Sequence, residues 1–202
     1  MSMIDAILDL SHWQTVNDFS VVKNTGGISG VILKATQGSR YVDPTFTGRA
    51  ALAQRAGLLV GAYAFLDGSP IVDQISHFLA VAGYLPKLVL DIEPNSVDGG
   101  TVTMMGAATA VSIMHSRTGR LPVIYMNRYG LDSRGTGLPN GTLARCDLWL
   151  PSYGSSPKPP AGWSTAMLWQ YTDMGSCAGV SGNCDRSRFF GDLAQLTAWW
   201  DS

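Results

Sequence analysis

Seven short apolar runs, rich in β-branched residues, recur along the chain and constrain its fold more than any other feature. Most of them are apolar at every position and do not alternate with polar residues. Continuous apolar runs of this length are typical of strands that are buried on both faces, as in a parallel sheet covered by helices. The runs cover residues 6–10, 30–35, 58–65, 87–93, 121–126, 147–151 and 166–171.

Segments with helical character separate several of these runs. Asp43-Pro44 opens one that extends to about Ala56, and Gly57 stops it, because proline favours the first turn of a helix and glycine its end. Further helices are predicted from Ser69-Pro70 to Leu79, from Thr101 to Gly119, near Tyr129 and from Phe189 to Trp200, with a loop over 152–162.

This alternation of strands and helices predicts an α/β fold, either a barrel or a wound sheet. A full eight-fold (β/α) barrel typically takes about 250 residues, and this chain has 202. We therefore expect a shortened, irregular barrel, similar to a TIM barrel, with its site in a groove at the carboxyl ends of the strands. The whole chain, residues 1–202, is expected to be a single domain.

Charge and hydropathy exclude several classes of partner. The net charge is −1 and charged residues make up 14% of the chain, without the clustered Lys and Arg that nucleic-acid binding requires. The apolar runs are far shorter than the roughly 20 residues that a bilayer demands, so membrane insertion is not expected. The first residues lack the features of a secretory signal. The protein therefore acts where it is made, or another agent releases it.

Three cysteines leave the redox state open. Cys146 precedes an apolar run and is expected to be a buried thiol. Cys177 and Cys184 flank a glycine-rich turn, and a disulfide between them and two free thiols are equally compatible with this spacing.

Asp91 and Glu93 form the sharpest chemical feature of the sequence. They lie two residues apart on a predicted strand, so their side chains point to the same face, with Cα atoms roughly 6.6 Å apart. Two unit charges at that distance repel by about 2.5 kcal/mol at an effective dielectric near 20. We expect one carboxyl to stay protonated while the other ionises, as glycoside hydrolysis requires. The alternative is a strand-end pair held by caps or arginine partners.

Other polar and aromatic residues fall at the predicted strand ends, where sites of α/β folds gather. Asp9 and Asp185 taken singly also fit helix caps or turns. The aromatic residues could stack on sugar rings, although aromatics on strands more often belong to the core. No phosphate-binding loop, dinucleotide motif, paired-His zinc motif or serine elbow is present, so neither a metal nor a cofactor is expected. The strand-end candidates for substrate contacts are Trp13, Lys34, Tyr63, Phe65, Tyr125, Tyr153, Gln170, and also Trp169 and Tyr171.

The order of motifs resembles glycoside hydrolase family 25, the Chalaropsis-type muramidases. The resemblance covers nearly the whole chain, and it depends on all the motifs occurring in order. They are Leu8-Asp9-Leu10-Ser11-His12-Trp13-Gln14, Gly30-Val31-Ile32-Leu33-Lys34-Ala35-Thr36-Gln37-Gly38, Asp43-Pro44-Thr45-Phe46, Ala56-Gly57-Leu58, Gly61-Ala62-Tyr63-Ala64-Phe65, Leu88-Val89-Leu90-Asp91-Ile92-Glu93, Leu148-Trp149-Leu150, Leu168-Trp169-Gln170-Tyr171 and Cys184-Asp185.

The resemblance implies cleavage of the β-1,4 bond between N-acetylmuramic acid and N-acetylglucosamine in bacterial peptidoglycan. It implies Glu93 as general acid and Asp91 as its partner, either orienting the substrate N-acetyl group or stabilising positive charge. Asp9 and Asp185 correspond to the two other acidic residues of such sites, and Tyr63 and Tyr125 to aromatic positions of the groove.

The sequence departs from the family pattern at Ala64, where histidine is common, and at Gln37, where glutamate is common. The resemblance makes residues 1–202 a single catalytic domain, and no separate wall-binding module is expected. A monomeric phage or prophage endolysin is expected, held in the host cytoplasm until another protein opens the membrane, with a bacterial or secreted enzyme as the alternative. A glycan-binding protein with little turnover and a hexosaminidase acting on a chitin-like polymer are the competing functions. Carboxyl separation decides between retention and inversion, and sequence spacing does not resolve it.

Overall fold

A computed structural model describes residues 2–96, 99–128 and 141–202 of the chain, and within them eight strands close into a barrel. The strands β1, β11, β9, β8, β7, β6, β5 and β3 follow one another around it, and β3 pairs again with β1. In chain order the strands are β1 (Ile4–Leu10), β2 (Thr15–Val16), β3 (Gly30–Gln37), β4 (Tyr41–Val42), β5 (Leu59–Phe65), β6 (Lys87–Asp91), β7 (Val123–Tyr125), β8 (Leu148–Pro151), β9 (Leu168–Gly175), β10 (Val180–Ser181) and β11 (Cys184–Phe189).

Helices cover the outside of the barrel and one of its ends. They are α1 (Phe19–Asn24), α2 (Phe46–Arg55), α3 (Ile71–Ala82), α4 (Met104–Thr118) and α5 (Leu193–Trp200), with a 3₁₀ turn at Leu143–Arg145. The predicted α/β barrel is confirmed, as are the helices that became α2, α3 and α4 and the loop over 152–162. Helix α1 was not predicted, and the helix predicted near Tyr129 lies outside the described residues.

The predicted helix from Phe189 to Trp200 is wrong over its first residues. Residues 184–189 form strand β11, and α5 begins only after Asp192, whose side chain accepts a hydrogen bond from the backbone of Gln195 in a capping box. The apolar pattern did not predict β11 because three of its six residues, Asp185, Arg186 and Arg188, are charged. This strand pairs in antiparallel fashion with β1 and β9, whereas all other neighbours around the barrel are parallel.

The barrel interior is filled in layers by alternate residues of each strand. Ile7, Ile32, Val89, Val123 and Leu168 form its buried middle together with Trp149 and Phe189. Residues two positions further along several of these strands, among them Asp9, Lys34, Asp91 and Tyr125, share the same face because side-chain direction repeats every second residue. The polar site is therefore the top layer of this interior.

Trp200 of α5 closes the opposite end of the barrel and is fully buried. A Cβ on Gly30 would lie 2.9 Å from its ring, and one on Gly61 would lie 3.3 Å from it. Both strands therefore need glycine there for the indole to enter. The opposite faces of the strands pack against the helices in a second apolar layer that includes Leu8, Leu33, Leu90, Phe46 and Phe78.

All three cysteines are buried, free thiols. For Cys177 and Cys184 the structure thus corresponds to the free-thiol alternative, and Cys146 is buried as predicted. Burial raises the pKa of the Cys146 thiol to about 12 and that of Cys184 to about 11, so neither is a reactive thiolate near neutral pH. No helix among the described residues has the length and apolar character needed to cross a membrane.

Candidate functional site

A cavity of about 250 Å³ opens at the mouth of the barrel, and we call it the acidic cavity. All four predicted carboxylates line it, although they come from three separate parts of the chain. Seven parallel strands bring their carboxyl ends to this mouth, and the reversed direction of β11 places the beginning of that strand there as well. The lining residues are Asp9, Asp91, Glu93, Asp173, Asp185, Tyr63, Tyr125, Trp149, Tyr153 and Gln170.

Asp91 is the last residue of β6, and it is buried with 7% of its surface exposed. Its Oδ1 has no hydrogen-bond partner among the described residues. Burial raises the pKa of Asp91 well above its usual value, and the charge of Glu93 raises it further, while Lys34 opposes both. The repulsion predicted from the spacing is therefore present, but the loss of solvent is the larger cause.

Glu93 follows the strand and is half-buried, so it is the more accessible member of the pair. It is also the chain's only glutamate. Burial raises its pKa and Asp185 adds to the shift, again against the positive charge of Lys34. A carboxyl that is held partly protonated and still reaches solvent can donate a proton to a bound substrate.

Asp9 and Asp185 lie opposite each other in the antiparallel pairing of β1 and β11, and their side chains hydrogen bond. Burial raises the pKa of Asp9 well above its usual value, with the charge of Asp185 as the next cause. The pKa of Asp185 is raised by burial as well, although the hydrogen bond with Asp9 lowers it. The two shifts favour Asp9 as the protonated member of the pair and Asp185 as the acceptor.

Gln170 connects this carboxyl pair to two tyrosines. Its buried side chain donates from Nε2 to both oxygens of Asp9, at 3.2 and 3.0 Å. Its Oε1 accepts from the hydroxyl of Tyr125 at 2.9 Å and from that of Tyr153 at 3.1 Å. A single amide thus sets the position of one carboxyl and two aromatic rings.

Sequence reasoning missed two residues of the acidic cavity. Trp149 donates its indole N–H to the hydroxyl of Ser187 at 2.9 Å and packs edge-on against Tyr125, 4.8 Å between ring centroids. Within its apolar run it could not be told from a core tryptophan. Asp173 was identifiable as a carboxyl three residues beyond Gln170. By contrast, Trp169 and Tyr171 line none of the cavities at the mouth of the barrel and contact the guanidinium of Arg188.

A second cavity, of about 620 Å³, adjoins the first, and we call it the side cavity. Trp13, Lys34 and Phe65, predicted as substrate contacts, line this cavity and not the acidic one. Trp13 is 80% exposed. The lining residues are His12, Trp13, Lys34, Gln37, Ser39, Arg40, Tyr41, Phe65, Asp67, Ser69, Asn95 and Gly99.

A third cavity, of about 590 Å³, lies on the other flank, where Tyr153 borders both it and the acidic cavity. The side cavity lies next to the acidic one because Phe65 of the first pairs with Asp91 of the second, and we call the three cavities together the groove. Of the two departures from the family pattern, Ala64 is buried in the layer between barrel and helices, away from the groove. Gln37 lies in the side cavity and accepts a hydrogen bond from Lys34 at 2.6 Å.

The groove holds no evident metal site. In the described ranges of the chain, no group of three His, Cys, Asp or Glu residues is arranged to hold a metal ion. The chemistry open to the acidic cavity is proton transfer and charge stabilisation by carboxyl groups.

The sequence profile of Glycosyl hydrolases family 25 matches residues 8–180. The chain is 35% identical to Lysozyme M1 of Streptomyces globisporus over 95% of its own length and 69% of that protein. It is 27% identical to the N,O-diacetylmuramidase of Chalaropsis sp., covering 88% of this chain and 94% of that one. A bacterial lysozyme structure from Streptomyces coelicolor superposes with a TM-score of 0.88 at 31% identity, covering 100% of this chain and 98% of that one.

Proposed function

The chain belongs to glycosyl hydrolases family 25, and from that premise we propose that it cleaves the β-1,4 bond between N-acetylmuramic acid and N-acetylglucosamine, with Glu93 and Asp91 as the reacting carboxyls. The enzyme is a glycoside hydrolase of the lysozyme and muramidase class, and its substrate is peptidoglycan. The observation that supports these residue roles is the meeting of Asp91 and Glu93 in one cavity with three further acids and three tyrosines.

Glu93 is the proton donor in this proposal. It is more exposed than Asp91, so it can reach the glycosidic oxygen of a glycan lying in the groove. Its raised pKa keeps a protonated fraction available above the pH at which an exposed glutamate ionises. Proton transfer to the leaving oxygen breaks the glycosidic bond and leaves positive charge on the muramic acid ring.

Asp91 is the partner that meets this positive charge, directly or by orienting the substrate N-acetyl group. Its buried carboxyl is set too deep to protonate the leaving oxygen, and its unpaired Oδ1 is available to a substrate atom. Lys34 acts towards the ionised form of Asp91 that a charge stabiliser requires, although burial and Glu93 outweigh it and raise the pKa of Asp91 overall. Asp9 and Asp185 lie in the same cavity as the reacting pair and tune it, and Tyr63, Tyr125, Tyr153 and Gln170 contact the sugar.

Digestion of purified peptidoglycan tests the function and distinguishes it from a glycan-binding role. Wild-type protein should release new reducing ends at muramic acid, whereas intact strands with bound protein would support the binding role. Reducing ends at N-acetylglucosamine, or equal cleavage of a chitin-like polymer, would point to a different hexosaminidase.

The variant Glu93→Gln tests the assigned acid. We expect turnover to fall by at least about 100-fold, because general acid catalysis contributes on the order of 100- to 10,000-fold. Circular dichroism and the melting temperature should stay those of a folded protein. Asp73→Asn, an exposed carboxyl on α3, removes the same charge away from the groove and should keep full activity. A fully active Glu93→Gln would overturn the assignment.

We also propose that the enzyme works as a monomer on the bacterial wall. The groove that carries all of the assigned residues is built from one copy of the chain. Release from a host cytoplasm by a separate membrane lesion, as for an endolysin, stays a prediction. Sedimentation of the protein alone and with soluble glycan tests the monomer, which a concentration-dependent dimer required for activity would contradict.

A further inference from the structure

The side cavity carries charge of the opposite sign to the acidic cavity beside it. Five carboxyls and no cationic residue line the acidic cavity, within the described parts of the chain. The side cavity is lined instead by Lys34 and Arg40, with Asp67 as its carboxyl. Asp67 is buried, and its Oδ1 already accepts from the backbone N–H of Ser69 at 2.8 Å and from the Ser69 hydroxyl at 2.5 Å. The accessible charge of the side cavity is therefore positive.

Lys34 is the cation closest to the reacting carboxyls. Its ammonium group donates to the neutral amide of Gln37 and lies over the rings of Phe65 and Tyr41, 5.2 and 5.8 Å from their centroids. The ion pairs found within the described residues are His12–Asp43 and Arg186–Asp5, so neither Lys34 nor Arg40 forms one there. The Lys34 ammonium thus holds two further donor positions and little solvent to fill them.

A neutral glycan gives such a lysine nothing of opposite charge to bind. In peptidoglycan the sugars are uncharged, and the negative charge close to the scissile bond belongs to the short peptide on the muramic acid lactyl group. That peptide branches from the sugar whose bond is cleaved, so it must leave the groove next to Asp91 and Glu93. Lys34 stands at this point, since its charge acts on both carboxyls while its side chain lines the side cavity.

We infer that the side cavity binds the peptide of the muramic acid residue, with Lys34 and Arg40 receiving its carboxylates. This inference rests on the proposed function and adds to it the part of the substrate that is not sugar. Trp13 and Tyr41 supply apolar contact area along the same wall. The volume of about 620 Å³ is in the range of pockets that enclose small-molecule ligands, so it accommodates part of such a peptide.

Paired soluble substrates test the inference. Uncrosslinked glycan oligomers are prepared with the peptide and with the peptide removed by an amidase, both free of wall phosphate polymers. For each variant the ratio of kcat/KM on the peptide-bearing to the peptide-free oligomer is measured. Because each variant is compared with itself, an effect of Lys34 on the reacting carboxyls cancels from this ratio.

We expect Lys34→Met to lower the ratio about tenfold, since a charge-assisted hydrogen bond to a half-enclosed carboxylate is lost. Arg40→Gln should lower it about threefold, because Arg40 is exposed and solvent screens it. Arg55→Gln removes the same charge from an exposed arginine outside the groove and should leave the ratio unchanged. Equal losses in all three variants would mean long-range attraction to the negatively charged oligomer and would overturn the inference.

Binding measured in the Glu93→Gln background gives a second, non-catalytic readout. Calorimetry should show tighter binding of the peptide-bearing oligomer, and Lys34→Met should abolish that difference. If wild type cleaves neither oligomer, the proposed function fails. If wild type cleaves both and the ratio is unchanged in Lys34→Met and Arg40→Gln, only the peptide site fails.

Discussion

Asp9 and Asp185 face each other across two neighbouring antiparallel strands, and burial raises the pKa of both carboxyls, that of Asp9 well above its usual value. Asp9 lies on the first strand of the barrel and Asp185 on the last. Their contact is thus made only when the barrel closes, and it brings two acids into the cavity that also holds the reacting pair.

The variant Asp9→Asn should make stability less dependent on pH. The pKa of Asp9 in the folded state is raised above its value of 3.8 in the unfolded chain. Its contribution to stability is therefore complete below about pH 4 and is lost as the pH rises through the folded-state pKa. Asparagine does not ionise and still offers a donor to Asp185. We expect the variant to be more stable than wild type at pH 7, by about 1 kcal/mol or more, and to gain nothing at pH 3.5.

Chemical denaturation of wild type and Asp9→Asn at these two pH values measures the effect. Asp73→Asn serves as the control, since Asp73 is exposed and the change should alter the free energy of unfolding at neither pH. An Asp9→Asn protein that is less stable at pH 7 would show that the carboxyl is ionised and favourably paired, against the protonation assigned above.

Gln170→Leu should lower kcat without unfolding the protein. The change removes the acceptor of the Tyr125 and Tyr153 hydroxyls and the donor to Asp9. We expect kcat to fall about tenfold or more, because the ring of Tyr153 in the groove is no longer held in place. Tyr153→Phe removes the same hydrogen bond from the other side. If Gln170 acts by positioning Tyr153, the double variant should be little worse than Gln170→Leu alone, whereas fully additive losses would exclude that role.

Lys34→Met should shift the pH dependence of activity upward. The positive charge of Lys34 lowers the pKa of Glu93 and of Asp91. Removing it raises both, so the proton donor stays protonated to a higher pH and the alkaline limb of kcat/KM moves to higher pH. The profile is measured on peptide-free oligomers, with Lys23→Met as a charge-matched control away from the groove. An alkaline limb at the same pH in Lys34→Met and wild type would show that the charge of Lys34 does not act on Glu93.

Asp43→Asn should destabilise the fold and loosen the wall of the side cavity. Asp43 is buried and accepts from the backbone and ring of His12, each at 2.9 Å, and from the backbone and hydroxyl of Thr45. Burial raises its pKa, but these hydrogen bonds outweigh burial and lower the pKa overall. The stabilisation is therefore present above pH 3.8, the ordinary value, and is lost as the pH falls through the lowered pKa.

We expect Asp43→Asn to lower the free energy of unfolding by about 2 kcal/mol at pH 7, and by less near pH 2. Asp18→Asn makes the same chemical change at the exposed N-cap of α1 and should cost little, since asparagine caps helices as well as aspartate does. Thermal unfolding of both variants across this pH range measures the effect. A constant difference between Asp43→Asn and wild type at all pH values would contradict the charged state assigned to Asp43.

Local sequence rules predicted most of the barrel. Strands buried on both faces leave unbroken apolar runs, and seven of the eight barrel strands carried that pattern. The eighth, β11, was missed because Asp185, Arg186 and Arg188 interrupt it. These side chains are accommodated by contacts that lie far away in sequence, such as those of Arg186 with Asp5 and Asp185 with Asp9.

The sequence by itself determined that Asp91 and Glu93 share one face, because the two-residue repeat of an extended chain depends only on local backbone geometry. The ordered motifs determined the family for the same reason, since each is a short contiguous stretch. Tertiary structure alone decided which acids meet, which of them are buried and hold protons, and how the predicted contacts divide between the acidic and side cavities. Strand register, solvent exclusion and long-range pairing set these properties, and they arise only when the barrel closes.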